Sequence, residues 1–313
     1  MTRHLKYGNI KKLEIHVLEA IMSLLQSILM GLIQGLTEFL PVSSSGHLAL
    51  FKALFDVNAD TGIMFDVLLH LGTLIAIFVV YYKDIWELIC EGVAIIIDFF
   101  VNVGLFLGNL FSREKKAYRK MVATPYRRFV MLIIVSTIPT GIMGVLGQDL
   151  IEAASATVLI PGICLIITSI LLFVSDRVKT GKKTEENASY GNAVAIGVCQ
   201  GFATLPGLSR SGTTITACLV SGFDRTFAVK YSFIMSIPAV LGAAVLELKD
   251  FNLSGTATSE LVNYVVGMAV AAMVGYICIK TMLLVVRKKK FTIFSVYCMI
   301  VGVIAVIAGC MGL

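Results

Sequence analysis

The sequence predicts an all-α integral membrane protein, a polytopic helical bundle, and three observations support this fold class. Hydrophobic residues fill 57% of the 313 positions and charged residues only 15%, and the mean hydropathy of +0.88 lies outside the range of ordinary soluble domains. Several apolar stretches approach the roughly 20 residues that a helix needs to cross a bilayer. A polar motif near the start of the chain also recurs 166 residues later.

The apolar stretches are expected to be membrane helices. In lipid, only a helix or a closed barrel satisfies the backbone hydrogen bonds, and these stretches lack the alternating pattern of barrel strands. Four long windows contain no Asp, Glu, Lys or Arg, namely 129–148, 154–175, 261–279 and 291–313. Two further windows, 64–82 with one Asp and the shorter 231–246, have the same character.

The net charge of +6 is concentrated in short segments between these windows. Residues 112–128 carry seven Lys or Arg against one Glu, and 287–290 are four basic residues in a row. Short basic loops indicate the cytoplasmic side of a membrane protein. The positive charge therefore reports orientation, and no nucleic-acid partner is expected.

A polar motif interrupts the apolar sequence twice. QGLTEFLPVSSSGH at 34–47 aligns with QGFATLPGLSRSGT at 200–213 at an offset of 166. Duplicated halves with broken helices commonly form a binding site near the bilayer midplane. The sequence therefore predicts two re-entrant hairpins, with a first repeat of about 17–150 and a second of about 185–313, joined by a span at about 154–175.

The number of crossings between the two motifs decides whether the repeats are inverted. With the basic loops inside, three crossings separate the motifs if 86–111 does not cross, and the two hairpins then enter from opposite faces. Segment 86–111 is apolar enough to resemble another span. Lys83 and Arg113 lie on the same side only if this segment stays at the cytoplasmic interface, which is the arrangement we expect.

Glu38 and Arg210 are the charged residues within the paired motifs. A charge inside a membrane segment costs about 2.5 to 3.5 kcal/mol on insertion scales, so a functional role is the default hypothesis. The simplest alternative is a buried ion pair that pins the two hairpins together. That alternative does not explain the polar side chains collected beside it, which are Ser43, Ser44, Ser45, His47, Ser209, Ser211, Thr213 and Thr214.

The polar set suits phosphate chemistry. Gln34 and Glu38 share a helix face and offer oxygen ligands to Mg²⁺ or Ca²⁺. Arg210 offers a forked donor to phosphate oxygens, and a restarting helix adds unpaired backbone N–H groups. His47 is a candidate base for Ser44 or for a water, whereas a lone histidine, His70, is expected to have a structural or lining role. These features favour phosphoryl transfer on a lipid phosphate, although a lipid transporter would have the same pattern.

The motifs QGLTEFLPVSSSGH and PGLSRSGTT, together with FDVLLHLGT, resemble the signatures of the undecaprenyl-diphosphate phosphatase family of the bacitracin-resistance type. The resemblance implies a multi-pass enzyme of the bacterial plasma membrane, with an active site that opens to the outer face. Such an enzyme hydrolyses undecaprenyl diphosphate to undecaprenyl phosphate and inorganic phosphate with a divalent cation, Mg²⁺ or Ca²⁺. This reaction recycles the lipid carrier for peptidoglycan synthesis and confers bacitracin resistance. A homodimer is an assembly that the sequence permits.

Residue by residue, the resemblance implies catalytic roles for Glu38, Ser44, His47 and Arg210, substrate binding by Ser43, Ser209, Ser211 and Thr214, and metal binding by Glu38 and Gln34. Many members have Glu where this chain has Gln34, so Glu38 becomes the principal metal ligand. The working hypothesis is that His47 activates Ser44 as the nucleophile, and direct attack by an activated water is the alternative. A polyprenyl-phosphate lipid translocase using the same cavity is the rival function.

Overall fold

The computed structural model describes residues 24–54, 62–248 and 258–311, and within them the chain is helical apart from turns and short connections. This confirms the all-α fold class. In this part of the chain, six helices are long and apolar enough to cross a membrane, and two shorter apolar helices accompany them. The part of the predicted first repeat that precedes residue 24 lies outside the described residues.

The helices in chain order are α1 (Leu24–Phe39), α2 (Ser44–Leu54), α3 (Gly62–Val80), α4 (Tyr82–Phe111), α5 (Pro125–Leu146), α6 (Gln148–Ser155), α7 (Leu159–Arg177), α8 (Tyr190–Phe202), α9 (Arg210–Val220), α10 (Arg225–Leu248), α11 (Thr258–Arg287) and α12 (Phe291–Cys310). The window 154–175 is divided, because its first residues end α6 and only the remainder belongs to α7.

Helices α5 and α8 begin at side chains that cap them. Thr124 accepts a hydrogen bond from the backbone N–H of Arg127 at 3.1 Å, and Pro125 occupies the first turn of α5, where a missing N–H costs nothing. Ser189 and Asn192 form a reciprocal capping box at the start of α8. Both caps lie in or next to the basic connections. Each cap therefore marks the point where a polar connection ends and an apolar helix begins.

The motif helices pack through glycines at corresponding positions. Gly31 and Gly35 of α1 lie so close to α11 that a Cβ on either would overlap α11 atoms. Gly197 and Gly201 of α8, which are 166 residues later, lie equally close to α5. Small residues four apart allow such close approach of helices in membranes. The offset seen in the polar motifs therefore extends to the packing of the helices that carry them.

The two hairpins also touch each other at paired positions. A Cβ on Gly46 would lie 2.8 Å from the Cα of Gly207, and a Cβ on Gly212 would lie 3.3 Å from the Cβ of Pro41. Adding 166 to 46 and 41 gives 212 and 207, so each contact has its counterpart. A pseudo-twofold relation between two copies produces such an exchange. The opposite orientation of the copies in the membrane stays a prediction.

Helices α7 and α12 form a hydrogen-bonded pair behind the hairpins. Ser169 Oγ donates to the backbone oxygen of Ser295 at 2.7 Å, and Ser295 Oγ donates to that of Ser169 at 2.8 Å. Thr168 Oγ1 donates to the Gly207 carbonyl at 3.1 Å, which ties the second hairpin to this pair. Interhelical hydrogen bonds of this kind stabilise helix pairs in lipid. The hairpins are therefore held on a hydrogen-bonded helical frame.

The chain returns along α4 after that helix ends. Residues 112–124 are non-helical, and the Asn109 and Asn102 side chains bind the backbone of this segment at Lys116 and Arg119. Helix α5 then begins beside the start of α4, where Tyr126 Oη donates to Asp84 at 2.8 Å.

The course of residues 112–124 bears on where α4 lies relative to the membrane. A non-helical segment rich in Lys and Arg has no place in hydrocarbon, because its backbone groups and its charges would lack water. Residues 112–124 lie along α4, which favours a position of this helix at the membrane surface, although its length and composition would also allow a crossing. The position of 86–111 at the membrane interface stays a prediction.

Candidate active site

Glu38, in the last turn of α1, joins the two motifs. Its Oε1 accepts a hydrogen bond from the Arg210 guanidinium, and its Oε2 accepts from Ser44 Oγ at 2.6 Å and from Gln34 Nε2 at 3.1 Å. The Glu38 side chain is only 9% exposed. An ion pair shielded from water in this way is held more strongly than a surface pair. The structure thus brings together four of the residues that the sequence analysis selected.

The break between α1 and α2 explains why Ser44 reaches Glu38. Helix α1 ends at Phe39, and α2 restarts at Ser44 after a turn. Ser43 has a φ of 71°, in the left-handed region that non-glycine residues adopt rarely. Its Oγ accepts from the Gly46 N–H at 3.3 Å, as an N-cap does. The turn at Ser43 reverses the chain so that the first residue of α2 faces the carboxylate at the end of α1.

The second motif has the same local construction. Ser209 Oγ accepts from the Gly212 N–H at 3.1 Å and caps α9, so Arg210 is the first residue of that helix. Ser43 and Ser209 therefore have matching roles as helix caps. Thr214 lies one turn further along α9 and is fully buried, with its Oγ1 near Ser232 Oγ on α10. The hydrogen bond between Thr214 and Ser232 therefore joins α9 to α10.

A small cavity lies beside the Glu38–Arg210 pair. Its lining residues are Glu38, Phe39, Arg210, Ser211, Ser232, Phe233 and Ser236. Ser211, predicted as a substrate ligand, is therefore a lining residue. Ser232 and Ser236, one turn apart on α10, were not anticipated from the sequence. The offset of 166 carries Asp66 onto Ser232 and His70 onto Ser236, so a longer self-alignment contained the signal.

His70 was expected to have a structural or lining role, but its ring lies close to the Glu38 carboxylate. Its Nε2 is 3.8 Å from Glu38 Oε2, the same oxygen that accepts from Ser44. Its Nδ1 is 2.8 Å from the backbone oxygen of Asp66, and a carbonyl can only accept, so Nδ1 carries the hydrogen. In the neutral ring, Nε2 is therefore the free base, directed at the carboxylate.

His47 is directed away from Ser44. Its Nδ1 donates to the Ser43 carbonyl at 2.8 Å, and its Nε2 accepts from Tyr297 Oη at 2.8 Å. The imidazole also stacks on the Tyr297 ring at a centroid distance of 5.6 Å. Both nitrogens are thus engaged, and the hypothesis that His47 activates Ser44 does not match this geometry. The group that accepts the hydrogen bond of the Ser44 hydroxyl is the Glu38 carboxylate.

The donor set at Gln34 and Glu38 fits a divalent cation. Gln34 is fully buried, and its Oε1 has no hydrogen-bond partner. A buried oxygen without a partner beside a carboxylate suits a hard cation. Across residues 24–54, 62–248 and 258–311, no group of three or more His, Cys, Asp or Glu is arranged to hold a metal. The chain would therefore supply few ligands, as in Mg²⁺ sites completed by waters and phosphate oxygens.

Comparison with known proteins gives matches over most of the chain. The family model described as bacitracin resistance protein BacA matches residues 27–304. A protein named undecaprenyl-diphosphatase from Methanosphaera stadtmanae is 41% identical over 286 residues, which cover 91% of this chain and 98% of that protein. Proteins of the same name from Halothermothrix orenii and Alkaliphilus metalliredigens are 38% and 39% identical, with the same coverage. The family match includes both motifs and all the site residues described above. The chain therefore belongs to the BacA family of bacitracin resistance proteins.

Proposed function

We propose that this chain hydrolyses undecaprenyl diphosphate to undecaprenyl phosphate and inorganic phosphate. The observation that carries the proposal is the meeting of a serine hydroxyl and an arginine on one buried carboxylate, Glu38, beside a cavity. The name undecaprenyl-diphosphatase of the relatives supports the same substrate. On this proposal the enzyme works at the outer face of a bacterial plasma membrane, recycles the lipid carrier for peptidoglycan synthesis and confers bacitracin resistance.

Arg210 is proposed to bind the diphosphate. Its guanidinium fork matches two phosphate oxygens, and the first turn of α9 directs backbone N–H groups toward the same region. Binding draws the guanidinium from Glu38 toward the phosphate. Glu38 then gives up its contact with Arg210, while its Oε2 keeps the contact with the Ser44 hydroxyl. Substrate binding therefore rearranges the site through one ion pair.

Ser44 is proposed as the nucleophile. Its Oγ attacks the terminal phosphorus while Glu38 Oε2, 2.6 Å away, takes the hydroxyl proton. The bond from the terminal phosphorus to the bridging oxygen breaks, undecaprenyl phosphate leaves, and water then hydrolyses the phosphoserine. Glu38 and Gln34 would hold a divalent cation, which would supply positive charge to the diphosphate when bound. Direct attack by a water that Glu38 activates is the alternative.

Phosphate release from the purified protein in detergent tests the proposed function. With farnesyl diphosphate or a longer polyprenyl diphosphate and Mg²⁺ or Ca²⁺, we expect inorganic phosphate to form. Chelation of the cation is expected to stop the reaction. The rival function, lipid translocation, draws support from the exchanged contacts of the two hairpins. If no phosphate forms with either cation while a polyprenyl phosphate crosses liposomes that contain the protein, the translocase reading replaces the phosphatase reading.

We expect His70→Ala to lower kcat by about 10- to 100-fold with little change in KM, because His70 Nε2 faces the oxygen that receives the Ser44 proton. Steady-state phosphate release over a range of pH measures the effect. Ser236→Ala, the counterpart across the 166-residue offset, is the control and should change kcat by only a few fold. A His70→Ala enzyme with the wild-type pH profile and kcat would return His70 to a lining role.

A further inference from the structure

Helix α4 and residues 112–124 contribute no residue to the site described above. We call these two elements together the α4 plate. In the plate, the segment runs antiparallel to the helix and covers one polar stripe of it. Another face of α4 is largely apolar and exposed, with Trp86 at 67%, Phe100 at 66% and Phe111 at 93% exposure. Such a helix in water would be a liability, so the exposed face indicates contact with acyl chains.

Two asparagines hold the segment in a fixed register. Asn109 pairs with both the N–H and the C=O of Lys116 at 2.8 and 2.9 Å, and Asn102 pairs in the same way with Arg119 at 2.7 and 2.9 Å. Seven residues of helix rise about 10.5 Å, and three residues of extended chain span about 10 Å. The two spacings agree, so the two side-chain amides can bind the helix to the extended segment at both positions.

Carboxylates of α4 pair with Arg119 of the segment and with Arg127 of α5, and they leave the other basic residues of the segment unpaired. Asp98 binds Arg119 at 2.9 Å and Arg127 at 2.7 Å, and Glu91 also binds Arg127 at 2.7 Å. The remaining cations of the segment are Arg113, Lys115, Lys116 and Lys120. All four are exposed, and in the described part of the chain none of them forms an ion pair.

We propose that the α4 plate lies in the plane of the membrane and binds acidic phospholipids on the side of the basic loops. The apolar face of α4 enters the acyl chains, and the four unpaired cations contact anionic headgroups, with lysine stems reaching along the apolar surface. An acidic lipid supplies both an apolar tail and a negative headgroup, and the plate presents a matching pair of surfaces within one element. The surface is distinct from the cavity at Glu38.

Trp86 is the single tryptophan of the chain, which makes its fluorescence a local probe of the plate. We suggest three proteins with one tryptophan each: the wild type, Trp86→Phe with Phe100→Trp, and Trp86→Phe with Phe111→Trp. In vesicles that contain phospholipids brominated at known depths, an in-plane helix gives the same shallow depth at all three positions. A crossing helix would separate positions 86 and 100 by about 21 Å in depth, and that result would overturn the proposal.

Lipid preference is measured on the protein with tryptophan at position 111. In vesicles of phosphatidylcholine and phosphatidylglycerol, we expect brominated phosphatidylglycerol to be enriched about fivefold or more around this tryptophan. Replacing Lys115, Lys116 and Lys120 by Gln should reduce the enrichment to near one. The matched control, Lys288→Gln with Lys289→Gln and Lys290→Gln in the turn before α12, should retain it.

Three outcomes would overturn lipid binding by the plate. Equal quenching by the two brominated lipids would mean that the cations recognise no acidic headgroup. Equal loss of enrichment in both lysine triples would mean that total charge, not the plate, attracts the lipid. Protection of the tryptophan from both lipids would mean that a protein surface, such as a second copy of the chain, covers the apolar face.

Discussion

Arg210→Ala is expected to lower kcat/KM for a polyprenyl diphosphate by about 1,000-fold or more, the range seen when an arginine that stabilises a transferring phosphoryl group is lost. The proposed reaction gives Arg210 two tasks, since it binds the diphosphate and holds Glu38 until substrate arrives. Phosphate release under saturating cation measures the loss. The same substitution leaves a buried carboxylate without its cation, so thermal unfolding of the purified protein should be measured in parallel.

Arg210→Lys separates charge from geometry. Lysine keeps the positive charge but loses the planar fork that contacts two oxygens. We therefore expect Arg210→Lys to retain the ion pair and the thermal stability while losing most of the activity. Arg287→Ala, at the end of α11 and outside the site, is the matched arginine control and should keep wild-type turnover. An Arg210→Ala enzyme within tenfold of wild type would remove Arg210 from the proposed phosphate site.

Ser44→Ala is the second substitution with a large expected effect, a loss of about 1,000-fold or more in kcat, because it removes the attacking oxygen. The neighbouring Ser45 offers a close control, since its hydroxyl lies 3.4 Å from Ser43 Oγ and makes no contact with Glu38 among the described hydrogen bonds. Ser45→Ala should keep most of the activity. In the wild type, an acid quench during turnover should trap phosphoserine at position 44.

The alternative of water attack predicts a different pattern. In that case Ser44→Ala retains most of its turnover, no phosphoserine is trapped, and Glu38→Gln is the substitution that abolishes activity. The serine mechanism requires Ser44→Ala and Glu38→Gln to fail together, because the hydroxyl and the carboxylate act as one unit at 2.6 Å. The pair of variants therefore decides between the two nucleophiles.

The sequence was sufficient for those parts of the site that depend on local spacing. Gln34 and Glu38 are one helical turn apart, and a serine that restarts a helix caps its own N–H groups, so these residues come together without information from elsewhere in the chain. The repeated motif also supplied Arg210 as the partner of Glu38. The basic segment 112–128 also led to the prediction that 86–111 stays at the interface, which remains a prediction.

The two histidines depended on packing that spacing does not contain. The direction of His47 is fixed by Tyr297, which is 250 residues away on α12, and by the left-handed turn at Ser43. His70 reaches Glu38 only because α3 packs beside the end of α1. The structure therefore places His70, and not His47, beside the carboxylate that contacts Ser44. A motif identifies which residues gather at a site, whereas helix packing decides which of them touch.

The Glu38–Arg210 pair makes the protein's own carboxylate a competitor for the anion site. A diphosphate carries more negative charge than either product and offers the arginine more oxygens, so in the proposed mechanism it displaces Glu38 more effectively than the products do. After cleavage, the returning carboxylate competes with the monophosphate for the guanidinium and favours its departure. An enzyme whose product remains in the same membrane as its substrate thereby limits inhibition by that product.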